Sequence, residues 1–473
     1  MPKNIINTTC YIMLWALSTP IFASTTNIQH KIDQLTKKYN LDNNIGILAI
    51  SPNHHQVIYQ KNPHKLLVPA SSLKIIPAVA ALSFLGTDYQ FKTQILAKNN
   101  LVTNGTINSD LFLHFSGDPS LTRQNINDLI HQLSILGITK INGNFYIDDS
   151  EFDEHYLGRG WKQEDLAYCY SAPIGAIMVD RNCLSLKINP SNIGKKAMIA
   201  DKQPVSIFNE IYSKSPKSRG NCVIKLGSSD NNDYYLSGCV KSNNSPVYIS
   251  TTIRNPRLFA KNILATQLAN ESITITGAID YKSAEASTAQ VTLAEHLSEP
   301  LTELIKPILK KSNNTVADAL YKKLGAVLFK KTASWDDGFK AIKSIFGKDR
   351  NISFDRTYIY DGSGLSGYNL VTPTLLVSVL NYAYHQPKIK DALIDALPHA
   401  GKDGTLKHRM KKLKDRIFAK TGTIENVSSL AGYIQTKRKN TIIFAIIINN
   451  PSGKSKKHQN LQNEICDVLA RNY

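Results

Sequence analysis

The hydrophobic pattern of this 473-residue chain changes twice along its length. Between about residues 93 and 284, short alternating stretches such as 110–118 (DLFLHFSGD) and 183–189 (CLSLKIN) are separated by clusters of Gly, Pro, Asn and Ser. Alternation of this kind predicts short strands joined by hairpins, and one helical run near residues 125–137 interrupts them. A strand-rich module is therefore expected between two segments of different character.

The segments on either side of that module combine helical periodicity with a few strong strands. The helix predicted from Ser71 to Gly86 begins with a serine and ends with a glycine, as is typical of helix ends. Pro77 falls in its first turns, where proline is tolerated. The predicted elements are a helix at 28–38, strands at 45–51 and 56–60, a helix from Ser71 to Gly86, helices from about residue 290, strands at 428–435 and 441–448, and a helix at 458–470.

Composition limits the broad class of protein but not its function. Apolar residues make up 42% and charged residues 20%, as in an ordinary globular chain, and the length allows two or three domains. Lys and Arg number 56 against 37 Asp and Glu. Such an excess suits nucleic acid, an anionic membrane or an acidic polymer, but equally a solvated surface. Charge alone therefore selects no partner.

The N-terminus has the features of an export signal. Lys3 precedes a short, mostly apolar stretch at 10–22, and a cleavage site follows Ala23. The stretch is shorter than the ~20 residues that cross a bilayer, and a buried N-terminal helix is the alternative. We predict a signal peptide at 1–23 and an exported mature chain.

Five of the six cysteines lie beyond the predicted cleavage site. An oxidising compartment permits disulfides, and the near neighbours are Cys169 with Cys183 and Cys222 with Cys239. Sequence does not decide connectivity, so these pairings are hypotheses. Cys466 would then be unpaired and packed as a small apolar group. None of the spacings is a C-x-x-C zinc or redox pattern.

A single Ser-x-x-Lys motif, at 71–74, stands at the start of a predicted helix. Residues three apart share a helix face, so Lys74 is expected beside the Ser71 hydroxyl. Serine is a weak nucleophile until a base takes its proton, and a lysine with a lowered pKa can act as that base. The motif predicts nucleophilic catalysis, whereas a helix-capping serine is the structural alternative.

A single Lys-Thr-Gly motif, Lys420-Thr421-Gly422, precedes Thr423 in strand-like sequence near the terminal pair of strands. Gly422 lets a substrate backbone come close because it has no side chain. Lys420 and Thr421 offer a charge and a hydroxyl to a substrate carboxylate. A solvated charge on a strand is the alternative for Lys420.

For a third motif, Ser-x-Asn, we weigh three candidates. Those at 229–231 and 242–244 lie in polar, loop-like sequence of the strand-rich module. The one at 312–314 lies at a break between two helical segments, where a hydroxyl and an amide can face a cleft. We therefore choose Ser312 and Asn314, although an ordinary turn residue is the alternative for Asn314.

Ser-x-x-Lys, Ser-x-Asn and Lys-Thr-Gly together form the signature of penicillin-binding proteins and serine β-lactamases. Over nearly the whole mature chain the sequence resembles the D-alanyl-D-alanine carboxypeptidase/endopeptidase branch, the low-molecular-mass class C penicillin-binding proteins. Further motifs that carry the resemblance lie at 160–165, 171–173, 179–183, 361–366 and 397–404. The resemblance implies a serine peptidase that needs no metal and no cofactor.

Spacing favours this branch over a β-lactamase. About 240 residues separate Ser71 from Ser312, far more than one compact transpeptidase domain needs. The resemblance implies an α+β serine transpeptidase/β-lactamase-like fold, an antiparallel sheet flanked by helices, interrupted by a large β-rich insertion. We predict a discontinuous catalytic domain at 24–92 and 285–473 and an insertion at 93–284, with room for two subdomains.

The resemblance also implies a role for each reacting group. Ser71 would be acylated, Lys74 would be the general base, and Ser312 would relay protons with Lys420. Backbone N–H groups of Ser71 and Thr423 would form the oxyanion hole, which typically contributes ~2.7–4 kcal/mol per donor.

Substrate contacts are implied in the same way. Asn314 would hold the substrate amide, and Thr421 with the lysine before it would receive the terminal carboxylate. Asp165 and Tyr170 match positions that line the pocket for the side-chain amine of the stem peptide, although a surface-turn carboxylate is the alternative for Asp165. Relatives often carry an arginine where this chain has Gly367, which removes one polar contact near the substrate.

The implied partners are peptidoglycan stem peptides and β-lactam antibiotics in the periplasm, with no nucleic acid. D-Ala-D-Ala carboxypeptidase action is expected, together with cleavage of D-alanyl cross-links. The basic run 406–416 would face anionic wall polymers or lipid head groups, although a solvated helix face is favoured. The rival functions are a serine β-lactamase and a catalytically silent wall-binding protein on the same fold.

Overall fold

In the computed structural model, the described residues are 19–41, 43–53, 56–200, 203–243, 245–284, 290–347, 352–450 and 455–473, and side chains are described from Asn27 onward. Most of the predicted signal peptide, 1–23, lies outside these residues. Its last residues belong to a helix that begins at Thr19, so the predicted cleavage point falls within that helix.

Strands and helices alternate in blocks along the described residues. The strands are β1 (Ile45–Ser51), β2 (Gln56–Lys61), β3 (Lys92–Ala97), β4 (Val102–Thr103), β5 (Thr106–Ile107), β6 (Leu111–His114), β7 (Lys140–Ile141), β8 (Phe145–Asp148), β9 (Cys183–Asn189), β10 (Met198–Ile199), β11 (Ser206–Lys214), β12 (Ile224–Ser228), β13 (Asp233–Lys241), β14 (Val247–Thr252), β15 (Thr274–Ile275), β16 (Ile279–Tyr281), β17 (Val291–Leu297), β18 (Ile417–Ile424), β19 (Val427–Gln435) and β20 (Thr441–Asn449). The helices are α1 (Thr19–Lys38), α2 (Ile75–Phe84), α3 (Arg123–Ile135), α4 (Pro256–Asn270), α5 (Leu301–Lys310), α6 (Asn314–Phe329), α7 (Trp335–Gly347), α8 (Pro373–Tyr384), α9 (Pro387–Ala396) and α10 (Ser455–Asn472).

A five-stranded antiparallel sheet in the order β18-β19-β20-β1-β2 joins the two ends of the chain. Successive residues of a strand point to opposite faces. In β20, Ile443 and Ile447 pack in a core with α2 and α8, whereas Phe444 and Ile446 pack in a second core with α1 and α10. Burial on both faces explains why this strand is apolar at nearly every position. The predicted terminal strands and the helix after them are confirmed.

The strand-rich region, residues 93–284, forms most of four further sheets, ordered β10-β9-β14, β11-β13-β12, β15-β7-β5-β4 and β16-β8-β6-β3-β17. Residues of all four sheets share one hydrophobic core with α3 and α4. The predicted helix near 125–137 is confirmed as α3. Helix α4 was not predicted. The signals that could have identified it are the capping Asn255 and the helical spacing of Phe259 and Ile263.

Strand β17 corrects the expectation of helices from about residue 290. It pairs antiparallel with β3, with Leu297 opposite Lys92, and so extends the same sheet beyond residue 284. Its partner lies about 200 residues earlier in the chain, so local pattern does not reveal the pairing. The predicted domain boundaries stay predictions, and residues 285–289 lie outside the described part of the chain.

Both hypothesised disulfides are confirmed in the strand-rich region. Cys169 pairs with Cys183, and Cys222 pairs with Cys239. Cys466 is free and buried in the core between the central sheet and α10.

The basic run 406–416 does not form the expected helix face. It makes two short 3-10 turns in which Leu406 and Leu413 are buried. The Arg409 guanidinium donates to the side chains of Gln462 and Asn463 on α10. Part of this positive charge therefore ties the segment to the last helix. None of the helices within the described ranges has the length and hydropathy of a membrane-spanning segment.

Candidate active site

The Ser71–Lys74 pair lies on a 3-10 turn, Ala70–Lys74, that leads directly into α2. The Lys74 Nζ donates to Ser71 Oγ at 2.9 Å, as the spacing of three residues predicts. Lys74 is fully buried where this turn meets α2. We call the central sheet β18-β19-β20-β1-β2 with the helices that pack on it the helix-flanked region. The turn therefore presents a hydroxyl to the cleft and a basic nitrogen beneath it.

Two further acceptors surround the Lys74 ammonium. Its Nζ donates to Asn314 Oδ1 at 2.8 Å and to the Ser363 carbonyl at 2.6 Å. Burial lowers the pKa of Lys74 from 10.5 to about 8, and the negative charges of Asp318 and Asp361 oppose that shift. A lysine with such a pKa has an accessible neutral form and can accept a proton near physiological pH.

Ser312 and Asn314 lie at the junction of α5 and α6. Ser312 has a left-handed backbone with φ 58°, and Asn313 caps α6 by accepting from the Val316 N–H. This sharp turn brings Ser312 Oγ to 2.9 Å from Lys420 Nζ, while Asn314 meets Lys74. Of the two other Ser-x-Asn candidates that we weighed, the Ser229 hydroxyl bonds to Asp233 in a hairpin, and 242–244 extends outside the described residues.

The Lys-Thr-Gly motif lies on β18, at the edge of the central sheet. Lys420 is fully buried, and burial together with the nearby Lys74 charge holds its pKa well below the usual range. A side chain at Gly422 would put its Cβ 2.9 Å from the Ser71 backbone nitrogen, so only glycine lets this strand approach Ser71. The Thr421 hydroxyl donates to the Thr405 hydroxyl at 2.7 Å.

A cavity of about 900 Å³ opens beside Ser71. Asn314 and Thr423 line it from the helix-flanked region, and Asp165 and Tyr170 line it from the strand-rich region. The Tyr170 hydroxyl donates to Asp165 Oδ1 at 2.5 Å, and the Tyr170 carbonyl accepts from Asn314 Nδ2 at 2.9 Å. Five of the predicted site residues therefore line one cavity, namely Ser71, Asn314, Thr423, Asp165 and Tyr170. Of the others, Lys74 bonds to Ser71 and Lys420 to Ser312, while Thr421 and Gly422 precede Thr423 on β18.

Gly367 also lines this cavity, with open space where a side chain would project. Lys162 and Glu425 line it as well and form an exposed ion pair of 2.6 Å between its two walls. These two charges were not predicted from the sequence, because a lone Lys and a lone Glu on loops carry no pattern.

The two buried acids under the site, Asp318 and Asp361, were also not predicted from the sequence. Asp361 belongs to a motif that carried the family resemblance, but its contacts with the indole of Trp161 and the backbone of Ser366 were not foreseeable. Asp318, four residues after Asn314, has helical spacing as its only local signal. Both acids acquire their importance from long-range packing.

Serine hydrolases with a lysine beside the nucleophile, on a helix-flanked antiparallel sheet, are the penicillin-binding enzymes and their β-lactamase relatives. The fold and the site define this protein as a member of that class. The predicted α+β fold is confirmed.

Comparison with known proteins places the chain more closely. It belongs to the D-Ala-D-Ala carboxypeptidase 3 (S13) family, whose model matches residues 28–472. The D-alanyl-D-alanine carboxypeptidase DacB of Haemophilus influenzae is 33% identical over 475 residues, covering 96% of this chain and 97% of that protein.

Solved structures agree with this family assignment. The crystal structure of H. influenzae penicillin-binding protein 4 matches with a TM-score of 0.80 and 32% identity, covering 93% of this chain and 99% of that one. The same protein complexed with a β-lactam matches with a TM-score of 0.76 and 30% identity over the same shares of the two chains. The protein is therefore a serine-type D-Ala-D-Ala carboxypeptidase, as the sequence motifs predict.

Proposed function

We propose that this enzyme removes the terminal D-alanine of peptidoglycan stem peptides through an acyl-enzyme on Ser71. Ser71 Oγ attacks the carbonyl carbon of the penultimate D-alanine while Lys74 takes the hydroxyl proton. The peptide C–N bond then breaks, and the leaving amine of D-alanine receives a proton. Water hydrolyses the ester and restores the Ser71 hydroxyl. The buried Lys74 Nζ at 2.9 Å from Ser71 Oγ is the observation that carries this proposal.

The second serine–lysine pair would return the proton to the leaving group. Ser312 Oγ accepts from Lys420 Nζ, and the lowered pKa of Lys420 makes its proton easy to share. The oxyanion that forms during attack would be held by the backbone N–H groups of Ser71 and Thr423. The close approach of Gly422 to Ser71 supports this pairing, because it brings β18 alongside the nucleophile.

Substrate recognition would divide between the two cleft walls. Asn314 would hold the peptide amide, and Thr421 with Lys420 would receive the terminal carboxylate. Asp165 and Tyr170 would meet the side-chain amine of the stem peptide, since both line the cavity and Tyr170 is 43% exposed. With Gly367 in place of an arginine, that pocket lacks one cation.

Cross-linked peptides and β-lactams would react at the same serine. A cavity of about 900 Å³ has room for a branched peptide, which supports cleavage of D-alanyl cross-links. The β-lactam complex of H. influenzae penicillin-binding protein 4 supports acylation by these drugs. Two disulfides support export to an oxidising compartment, the periplasm.

The test is the intact mass of residues 24–473 after incubation with benzylpenicillin. We expect a lasting shift of one adduct in the parent and none in Ser71→Ala. The matched control is Ser72→Ala, which removes the adjacent buried hydroxyl bonded to the Pro69 carbonyl and leaves Ser71 in place. Ser72→Ala should still form the adduct.

Two outcomes would replace the proposal with one of its rivals. Loss of benzylpenicillin from solution without a lasting adduct would identify a β-lactamase that deacylates quickly. No adduct, no drug loss and no D-alanine release from a stem peptide would identify a catalytically silent wall-binding protein. An adduct that persists in Ser71→Ala would assign the nucleophile to another residue.

A further inference from the structure

A buried carboxyl group lies beneath the reacting lysine. Asp318 is on α6, one turn after Asn314, and is fully buried. Its Oδ1 accepts from the backbone N–H groups of Gly362 and Ser363, both at 2.8 Å. Its Oδ2 has no hydrogen-bond partner among the described residues. Burying a half-satisfied carboxyl group costs free energy, so the position of this group calls for an explanation.

The loop that Asp318 holds also contacts Lys74. The Ser363 carbonyl accepts from Lys74 Nζ at 2.6 Å. A Cβ on Gly362 would lie 2.6 Å from the Ala317 carbonyl oxygen on α6, and a Cβ on Gly364 would lie 2.0 Å from the Ala70 carbonyl oxygen. The loop is therefore wedged between α6 and the turn that carries Ser71, so a small shift of the loop would move the acceptor of Lys74.

The neighbouring acid, Asp361, has a different arrangement. Four donors satisfy its two oxygens, namely the N–H groups of Gly364 and Ser366, the amide of Asn369 and the indole of Trp161. These bonds fold the loop on itself and tie it to the strand-rich region. The two bonds to Asp318 instead tie the loop to α6, the helix that also supplies Asn314.

The geometry around Lys74 shows how the hydrogen bonds between Asp318 and the loop affect the reacting lysine. A neutral lysine has two N–H bonds and one lone pair. If the Ser363 carbonyl and Asn314 Oδ1 accept the two N–H bonds, the lone pair points to the remaining neighbour, Ser71 Oγ. That is the orientation in which Lys74 can take the serine proton.

We infer that Asp318 is a positioning residue, which holds the Ser363 carbonyl in place so that the Lys74 lone pair is directed at Ser71. The inference rests on the proposed function, in which Lys74 is the base. Asp318 lies outside the three motifs and does not line the cavity. It would act on the reaction indirectly, through the 362–364 loop and Lys74.

The test compares Asp318→Ala with Asp318→Asn. Alanine removes the acceptor of both backbone N–H groups. We expect the acylation rate constant for benzylpenicillin to fall about 100-fold, a loss that a 1 Å misplacement can cause. The dissociation constant of the initial complex should stay unchanged, because Asp318 does not line the cleft. Asparagine keeps an acceptor oxygen of the same size, so its rate constant should stay within about tenfold of the parent.

A matched control separates positioning from general loss of stability. Asp337 is another buried acid, which accepts from the backbone N–H of Ser334 at 3.0 Å near the start of α7. Asp337→Ala should lower the melting temperature and still acylate at the parent rate. Parent-rate acylation by Asp318→Ala, or an Asp318→Asn variant as slow as Asp318→Ala, would overturn the inference.

A second variant decides the question if Asp318→Ala does not fold. Gly362→Ala leaves Asp318 intact and pushes the loop away from α6, so acylation should slow to a similar extent. Its control is Gly347→Ala at the end of α7, where the added methyl group meets open space. Parent-rate acylation by a folded Gly362→Ala would contradict the inference. The variant Lys74→Ala separates failure of this inference from failure of the proposed function. If Lys74→Ala acylated at the parent rate, the proposed function itself would be refuted.

Discussion

The helix-flanked region and the strand-rich region contribute to the cleft in different ways. The first supplies groups that are buried to completion, Lys74 and Lys420, on elements packed from both sides. The second supplies partly exposed side chains, Asp165 and Tyr170, on short 3-10 turns. A proton-transfer group needs a dry and rigid setting that shifts its pKa, whereas a recognition wall must remain open to a large substrate.

The sheets of the two regions show the same contrast. In β19 every residue except the last is buried, because helices cover both faces of the central sheet. In β11 exposed and less exposed residues alternate, and Phe208 and Tyr212 stand on the outer face. In the strand-rich region, one face of such a sheet is therefore exposed to solvent and the other packs on the core. Its two disulfides add stability where less apolar surface is buried.

The largest effect that we expect from the buried groups of the helix-flanked region is a pH dependence of the acylation rate constant. Burial places the pKa of Lys74 at about 8, so the protonated form, which is unable to accept the serine proton, predominates below that pH. We expect the rate constant for acylation by benzylpenicillin to rise through pH 8 and to be roughly 100-fold lower at pH 6 than at pH 9, one power of ten per pH unit on the acidic side. Stopped-flow or quenched mass measurements over this range would check it.

A rate constant that does not change from pH 6 to pH 9 would contradict the role we assign to the burial of Lys74. It would mean that Lys74 keeps its reactive form throughout, and that burial is not what prepares it. Circular dichroism at both ends of the range controls for unfolding.

The next effect compares the two disulfides. Cysteine-to-serine replacement of either pair opens a loop, of 14 residues for Cys169–Cys183 and 17 for Cys222–Cys239, and should cost about 3 kcal/mol of stability in each case. Only the first pair adjoins the cleft, because Cys169 precedes Tyr170. We expect its loss to raise the KM for a stem peptide several-fold, while loss of the second leaves KM unchanged.

Thermal melts and peptide kinetics on the two double variants measure both quantities. Equal KM values for the two variants would show that the cleft wall is held by packing alone. A lowered acylation rate with benzylpenicillin in either variant would contradict the division of roles between the regions.

The smallest effect concerns the ion pair between the cleft walls. Lys162 and Glu425 are both solvent-exposed, so their attraction is weak and screened by salt. Lys162→Ala should change the KM for a stem peptide by about twofold at low ionic strength and by less at high salt, with the melting temperature unchanged. Lys196→Ala, which breaks the exposed pair with Glu210 in the strand-rich region, is the matched control and should alter neither quantity. A tenfold change in Lys162→Ala would make this pair a substrate contact in its own right.

Local sequence determined the parts of this protein that depend on neighbours in the chain. The spacing of Ser71 and Lys74 places both on one turn, and the apolar runs at 428–435 and 441–448 make a doubly buried hairpin. Each of these follows from backbone periodicity or short-range loop closure, which a few consecutive residues define.

Tertiary structure alone decided what lies far apart in the chain. It paired β17 with β3, brought Lys420 to Ser312 across 108 residues, and set Asp318 beneath the loop that contacts Lys74. Burial and charge proximity, which shift the pKa of a lysine toward catalytic use, belong to the packed molecule and have no counterpart in a run of sequence. The motifs therefore named the groups that we propose to react, and the fold supplied the surroundings on which that proposal depends.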